Sequence, residues 1–327
     1  MLLFGAAGGR GVGSGWAGLV RRAWLRGAPP GGVAWPFKNL PRVPARGRRD
    51  WLADGAPGGH PAILPGGSGG AMTRPPLPLC GSILITGSNR GIGLGLVRGL
   101  LAASPPPDLV LATCRYPEKA QELQQLRKQY DNIRVLQLDV VSEKSIKAVV
   151  KEVEDLVGEK GLNCLVNNAG INVCATLDEV TSETMLTVYE TNTVAQLMVT
   201  KAFLPLLRKA AKNGTGMGCH RASIINVSSE SGSIQLVDAK KLYLQVYPYR
   251  IAKTALNMVT KCLAADLKSD GILCISLHPG WIQTDMGGEM APLKIQDTIP
   301  EILSMLARLR EEHNGSFLDW QGETVPW

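Results

Sequence analysis

The sequence predicts an α/β fold: one doubly wound parallel sheet of about seven strands with helices on both faces, confined to residues 79–327. Three observations carry that prediction. From Leu79 onward, short apolar runs alternate with longer segments of helical spacing. The runs are almost continuously apolar rather than alternating, as in strands covered on both faces. The first run ends in a glycine-rich turn that opens a helix.

Taken in order, 82–86 is a short apolar strand and 91–103 a helix, stopped by Pro105-Pro106-Pro107. Residues 109–114 form a second buried strand. The polar stretch 117–130 has helical spacing, with Pro117 suited to a first helical turn. Strand three is 133–138, the next helix 142–157, and strand four 162–166. Helical pattern fills 181–212, strand five is 223–227, and 249–267 is helical. Strand six is 271–277, the last helix 300–312, and 316–318 a short final strand.

Hydrophobic residues make up 45% and charged residues 19%, enough for a packed core. No run reaches the roughly 18 apolar residues of a membrane-spanning helix, so no integral membrane segment is expected. Seven cysteines are present, none in a C-x-x-C pair, and the four histidines are scattered. This speaks for a reducing compartment and against a disulfide framework or a metal site.

The net charge of +7 is unevenly placed. Residues 1–78 carry ten Lys/Arg against two Asp/Glu, and the remainder 25 against 26. The domain is therefore near neutral, and a nucleic-acid partner is not expected. Residues 1–78 also hold 18 of the 37 glycines and 11 of the 21 prolines, without apolar periodicity, and read as a disordered extension. Acidic residues are missing before Asp50, while Arg10, Arg21, Arg22 and Arg26 are present. Two readings stay open. In one, the extension is inert, Met72 starts the domain and the protein is cytoplasmic. In the other, it is a mitochondrial transit peptide.

The first strand runs into Thr86-Gly87-Ser88-Asn89-Arg90-Gly91-Ile92-Gly93. Gly87 permits a tight turn, Gly91 lets backbone approach a pyrophosphate, and Gly93 lets helix and strand pack closely. The helix N-terminus offers free N–H groups and a positive dipole end. An NAD site places an acid at the end of strand two. Here the strand ends Ala112-Thr113-Cys114-Arg115. Arg115 and Arg90 suit a 2′-phosphate, which a guanidinium holds through charge-assisted bonds. Tyr249 and Lys253, four apart on a helix, share one face. A free phenol near pKa 10 is poorly matched to neutral-pH acid–base work, and a neighbouring ammonium would lower it.

The spacing T-G-x-x-x-G-x-G resembles the fingerprint of the short-chain dehydrogenase/reductase family, whose fold is of Rossmann type. The resemblance covers roughly residues 80–327 and implies NADP(H) as cofactor. It implies that Asp139, with Val140 beside it, bonds the adenine. It implies that Asn168, Ala169 and Gly170 of the N-N-A-G motif line the cofactor site. Pro279, Gly280 and Thr284 would face the nicotinamide, together with Tyr249 and Lys253. Ser229, three after Asn226, is the expected catalytic serine that bonds the substrate carbonyl, with Ser228 as fallback. Tyr249 would be the general acid, and Asn192 would hold a water in a proton relay to Lys253. His278 reads as a packed strand-end histidine.

The segments Pro279 to Gly288 and Trp320-Gln321-Gly322-Glu323-Thr324-Val325-Pro326-Trp327 are similar to sniffer-type carbonyl reductases and C-factor proteins. The implied activity is NADPH-dependent reduction of a small-molecule aldehyde, ketone or quinone. Two alternatives stay open: a non-catalytic NADP(H)-binding signalling or interaction protein, and a secondary-alcohol or steroid dehydrogenase. The family includes monomers, homodimers and homotetramers, and an interface would use 181–212 and 249–267. Ser229 and Tyr249 stand 20 apart, longer than the family interval, with the extra length assigned to 239–245 beside the substrate cleft.

Overall fold

The computed structural model describes residues 79–237 and 246–327. The extension expected over 1–78 and the extra length expected at 239–245 lie outside the described residues.

Seven parallel strands form one sheet: β1 (Ser82–Thr86), β2 (Leu109–Cys114), β3 (Ile133–Gln137), β4 (Cys164–Asn167), β5 (Ser223–Val227), β6 (Leu273–His278) and β7 (Phe317–Asp319). Their order is β3-β2-β1-β4-β5-β6-β7, so the chain reverses direction across the sheet between β1 and β4. Such a reversal leaves a crevice at the carboxyl ends of the two strands, where ligands bind in this architecture.

The strands lie where apolar runs predict them because burial on both faces demands such runs. Every residue of β1, β4 and β5 is buried. Alternate side chains enter opposite layers, as the period-2 pleat requires. Ile83 and Ile85 pack with Leu96, Val97 and Leu100 of α1 (Gly91–Leu101) and with Ile302 of α7 (Ile295–Ala307). Leu84 faces the other way. It packs with Val149 and Val153 of α3 (Glu143–Val157) and with Val199 and Phe203 of α5 (Ala195–Lys212). The remaining helices are α2 (Gln121–Gln129), α4 (Ser182–Tyr189) and α6 (Tyr247–Asp266). No helix among the described residues is long and apolar enough to cross a membrane.

The helices differ from expectation in informative places. The segment 117–130 is a short 3-10 turn at Pro117–Lys119 followed by α2, with Ala120 bent between them. The stretch 181–212 is α4 and α5 joined by one π-helical turn at Glu190–Val194. The last helix starts at Ile295, so Pro300 lies inside it rather than at its start. Packing explains this. A Cβ on Gly95 would lie 2.8 Å from Ile295 Cγ2, and one on Gly99 2.7 Å from Leu303 Cδ1. The two glycines of α1 thus form a smooth face that seats α7 on both sides of Pro300. That burial outweighs the loss of one helical hydrogen bond.

A chain of short polar side chains crosses the middle of the sheet. Asn167 Nδ2 donates to Thr200 Oγ1 and Asn226 Oδ1, both at 2.8 Å. Asn226 Nδ2 donates to Thr260 Oγ1 at 2.9 Å, and Ser276 Oγ donates to the same oxygen at 2.9 Å. All five side chains are buried, and their mutual bonds are what makes such burial tolerable.

Candidate active site

The glycine turn follows directly from β1. Gly87 and Gly91 have φ of 67° and 56°, which only glycine adopts at low cost. A Cβ on Gly93 would strike the Gly87 carbonyl and lie 2.6 Å from Asn168 Nδ2. Ile92 is half-buried, and Asn89 and Arg90 are exposed. Arg90 is the N-cap of α1, with no side-chain cap bond and no carboxylate in the first turn. The helix therefore presents N–H groups and the positive dipole end to whatever lies in the crevice. Ser88 is different. It is fully buried, its hydroxyl donates to Ile85 O at 2.7 Å and its N–H to Thr113 O at 2.9 Å. Both of its donors are spent inside the fold.

The N-N-A-G segment is tied to the same turn. Asn168 Nδ2 donates to Thr86 O at 2.8 Å and Gly87 O at 3.1 Å. The N–H groups of Asn168 and Ala169 donate to Thr86 Oγ1 at 3.0 and 2.9 Å. Thr86, which opens the fingerprint, thus ties the two segments together, a role its position alone does not signal. Gly170 lies against Asn192. At the neighbouring strand ends, Arg115 is exposed, Asp139 half-buried and Val140 buried. Asp139 Oδ1 accepts from Val141 N–H at 3.3 Å, which orients the carboxylate at the tip of β3.

Pro279 is buried, and Gly280 takes φ of 88°. Thr284 comes back over the glycine turn, with its Cγ2 placed 3.6 Å from where a Gly91 Cβ would be. Asp285, which the sequence reading passed over, pairs with Arg90 at 2.6 Å. Both side chains are largely exposed, so the pair contributes at most about 1 kcal/mol and an anion can displace it.

On the other side of the crevice, α6 carries Tyr249, Lys253, Asn257 and Thr260 along one face. Pro248 stands in its first turn, where the missing N–H costs no helical bond. Ser229 follows β5 and lies beside Tyr249, where its hydroxyl favours the phenolate. Its oxygen also accepts from Ser231 N–H at 3.1 Å. Ser228, the fallback, is buried and donates to Asn257 Oδ1 at 2.6 Å, facing away from Tyr249's partner. The polar stripe of α6 at helical spacing is the signal that could have found Asn257 and Thr260.

Lys253 is 3% exposed, and its Nζ donates to Val227 O at 2.7 Å. The same Nζ lies 5.5 Å from the centre of the Tyr249 ring. Burial pushes the ammonium down to about 8. Burial likewise pushes the Tyr249 phenol up to about 12, with the neighbouring Ser229 hydroxyl acting in the opposite direction. The expected lowering of Tyr249 by Lys253 is not found: loss of solvent dominates, and the phenol holds its proton at neutral pH. Burial lowers His278 as well, offset in part by Glu230 and Asp319.

Asn192 lies in the π-helical turn and is fully buried. Its amide is committed to the backbone of Ile171, accepting from N–H at 2.9 Å and donating to O at 2.8 Å. Thr193 Oγ1 donates to Ala252 O of α6 at 2.8 Å, which holds this turn beside Lys253's helix.

Known proteins are similar to this chain in sequence and fold. Residues 82–293 match the family model described as short chain dehydrogenase. The carbonyl reductase Sniffer of D. melanogaster is 44% identical, with a TM-score of 0.73 over 76% of this chain and 100% of that one. An NADPH-bound carbonyl reductase from chicken fatty liver is also 44% identical, with a TM-score of 0.73 over 76% of this chain and 99% of that one. The C-signal protein of Myxococcus xanthus is 34% identical over 167 residues, 51% of this chain and 93% of that protein. The resemblance read from the glycine fingerprint, the tyrosine–lysine pair and the two terminal segments is borne out, and the chain belongs to the short-chain dehydrogenase family.

Proposed function

We propose that the protein is an NADPH-dependent reductase of aldehydes, ketones or quinones. The carrying observation is that Ser229, Tyr249 and Lys253 stand together, with Lys253 one helical turn after Tyr249 and its Nζ 5.5 Å from the centre of the Tyr249 ring. Ser229 follows the carboxyl end of β5, as the glycine turn follows that of β1 and the N-N-A-G segment that of β4. The glycine cradle, the uncapped α1 N-terminus and the arginines at 90 and 115 fit a phosphorylated dinucleotide. Support also comes from the NADPH-bound carbonyl reductase of similar fold.

NADP(H), when bound, supplies the hydride chemistry. The chain's own residues do the rest. Ser229 and Tyr249 donate hydrogen bonds to the substrate carbonyl oxygen, and Tyr249 gives up its phenolic proton. The Asn192 amide is already engaged by the backbone of Ile171, so a water in the relay to Lys253 would be held by other groups. Lys253 passes the proton on. A group with pKa about 8 is well matched to that task near neutral pH.

The pH dependence follows with a definite sign. Reduction consumes a proton, and Lys253 carries its charge only below about 8. We expect kcat/KM for reduction to fall as pH rises through about 8. Lys253→Arg, whose guanidinium does not give up its proton, should lower turnover and remove that limb. A wild-type profile that stays flat through this range would take Lys253 out of the proton path.

The direct test titrates the protein with NADPH and NADH, then follows nicotinamide absorbance with a panel of aldehydes, ketones and quinones. NADPH preference of about 10³-fold is expected, dropping to about 30-fold in Arg115→Ser, where Arg90 remains, since each charge-assisted pair contributes about 2 kcal/mol. Binding without turnover would favour a non-catalytic NADP(H)-binding role. NADH preference would overturn the roles of Arg90 and Arg115.

A further inference from the structure

The segment Trp320 to Trp327 takes no part in the mechanism above, yet it touches both sides of the site. At one end, the Trp320 indole covers the Pro279-Gly280 turn, so that a Cβ on Gly280 would meet its Cδ1 at 3.1 Å. At the other end, the Trp327 carbonyl accepts a hydrogen bond from Gln235 N–H at 2.9 Å. Gln235 belongs to the loop 233–237, which leads from Ser229 toward Tyr249 and exposes Ile234 and Val237. Among the described residues, the other backbone bonds of 234–237 run within the loop, from Leu236 N–H to Ser233 Oγ and from Val237 N–H to Ile234 O.

Between its two ends the segment is stiff. Asp319 Oδ1 accepts from Gln321 and Glu323 N–H, both at 2.9 Å, and Val325 N–H donates to Phe317 O at 2.8 Å. The Trp327 ring lies 5.4 Å from the ring of Phe317, which is buried in β7, and 5.0 Å from Lys261 Nζ on α6. The indole is therefore fixed by a strand and a helix at once, and its carbonyl is held at a defined height above the sheet.

We propose that Trp327 is a positioning residue: it fixes the loop 233–237 on the substrate side of the site, in step with the Pro279-Gly280 turn that Trp320 covers. The inference rests on the reductase reading for its effect on turnover, but not for the tie itself.

The test compares Trp327→Ala and Trp327→Phe with wild type. Three quantities are read: hydrogen exchange of the Gln235 amide, NADPH affinity, and the KM and kcat for 4-nitrobenzaldehyde. In Trp327→Ala, exchange at Gln235 should quicken at least about tenfold and KM should rise about tenfold, with kcat and NADPH affinity within about twofold. Trp327→Phe, which keeps a ring against Phe317, should restore both. Unchanged exchange in Trp327→Ala overturns the inference. So does a loss of stability and NADPH binding that Trp327→Phe fails to rescue, because Trp327 would then be a general packing residue. Should wild type bind NADPH yet reduce no aldehyde, the reductase reading fails alone, and the exchange rates still decide the tie.

Discussion

Tyr249→Phe is expected to lower kcat/KM for carbonyl reduction by about 10³-fold while leaving NADPH affinity within about twofold. The substitution removes one oxygen and little volume, and the half-buried ring keeps its place at the start of α6. What disappears is the proton donor beside Ser229. Ser229 can still bond a carbonyl, so substrate binding should weaken little and the loss should fall on kcat. Stopped-flow binding and steady-state turnover separate the two. Retained turnover in this variant would remove Tyr249 from the chemistry. Lost NADPH binding would mean that the phenol serves the cofactor rather than the reaction.

Gly93→Ala is expected to destabilise the fold by about 2 kcal/mol and to weaken NADPH binding by about 10²-fold. Helix propensity alone predicts the opposite sign, because alanine is favoured over glycine in a helix by about 1 kcal/mol. The difference lies in what the new methyl group meets: the Gly87 carbonyl, the Asn168 amide that holds the turn, and Ser88 Cα at 3.0 Å. None of these is the free end of a flexible side chain. Relief requires the turn to open, which moves Gly91 and the α1 N-terminus. Urea unfolding and a fluorescence titration measure the two effects. A Gly93→Ala protein as stable and as tightly binding as wild type would show that this close approach constrains nothing.

The strands were legible in the sequence because burial on both faces forces continuous apolar runs. β1, β2 and β5 begin and end where those runs do. Helices were less legible where tertiary packing overrode a local signal. Pro300 reads as a first-turn residue, but Ile295, Ile299 and Leu303 against Gly95 and Gly99 carry the helix across it. The π-helical turn around Asn192 has no mark of its own, since it depends on bonds to Ile171 and Ala252 that only the folded chain brings together. The glycines of the fingerprint, Tyr249 and Lys253 could be placed from spacing alone. The inward turn of Ser88, the Arg90–Asp285 pair and the reach of Trp327 to Gln235 could not, because each joins groups far apart along the chain or reverses an outward-facing expectation.

The polar chain through the sheet bears on a different problem, that of alignment. Strands as uniformly buried as β4 and β5 cohere strongly, yet their apolar residues distinguish poorly between one register and the next. Slid by one residue, an isoleucine meets another isoleucine at little loss. Asn167, Asn226, Thr260 and Ser276 cannot slide so freely, since each would leave a buried amide or hydroxyl without its partner. Asn226 stands three residues before Ser229, and Thr260 eleven after Tyr249. The bond between them therefore works as a key cut into an otherwise smooth sheet, setting the depth at which the serine and the tyrosine meet.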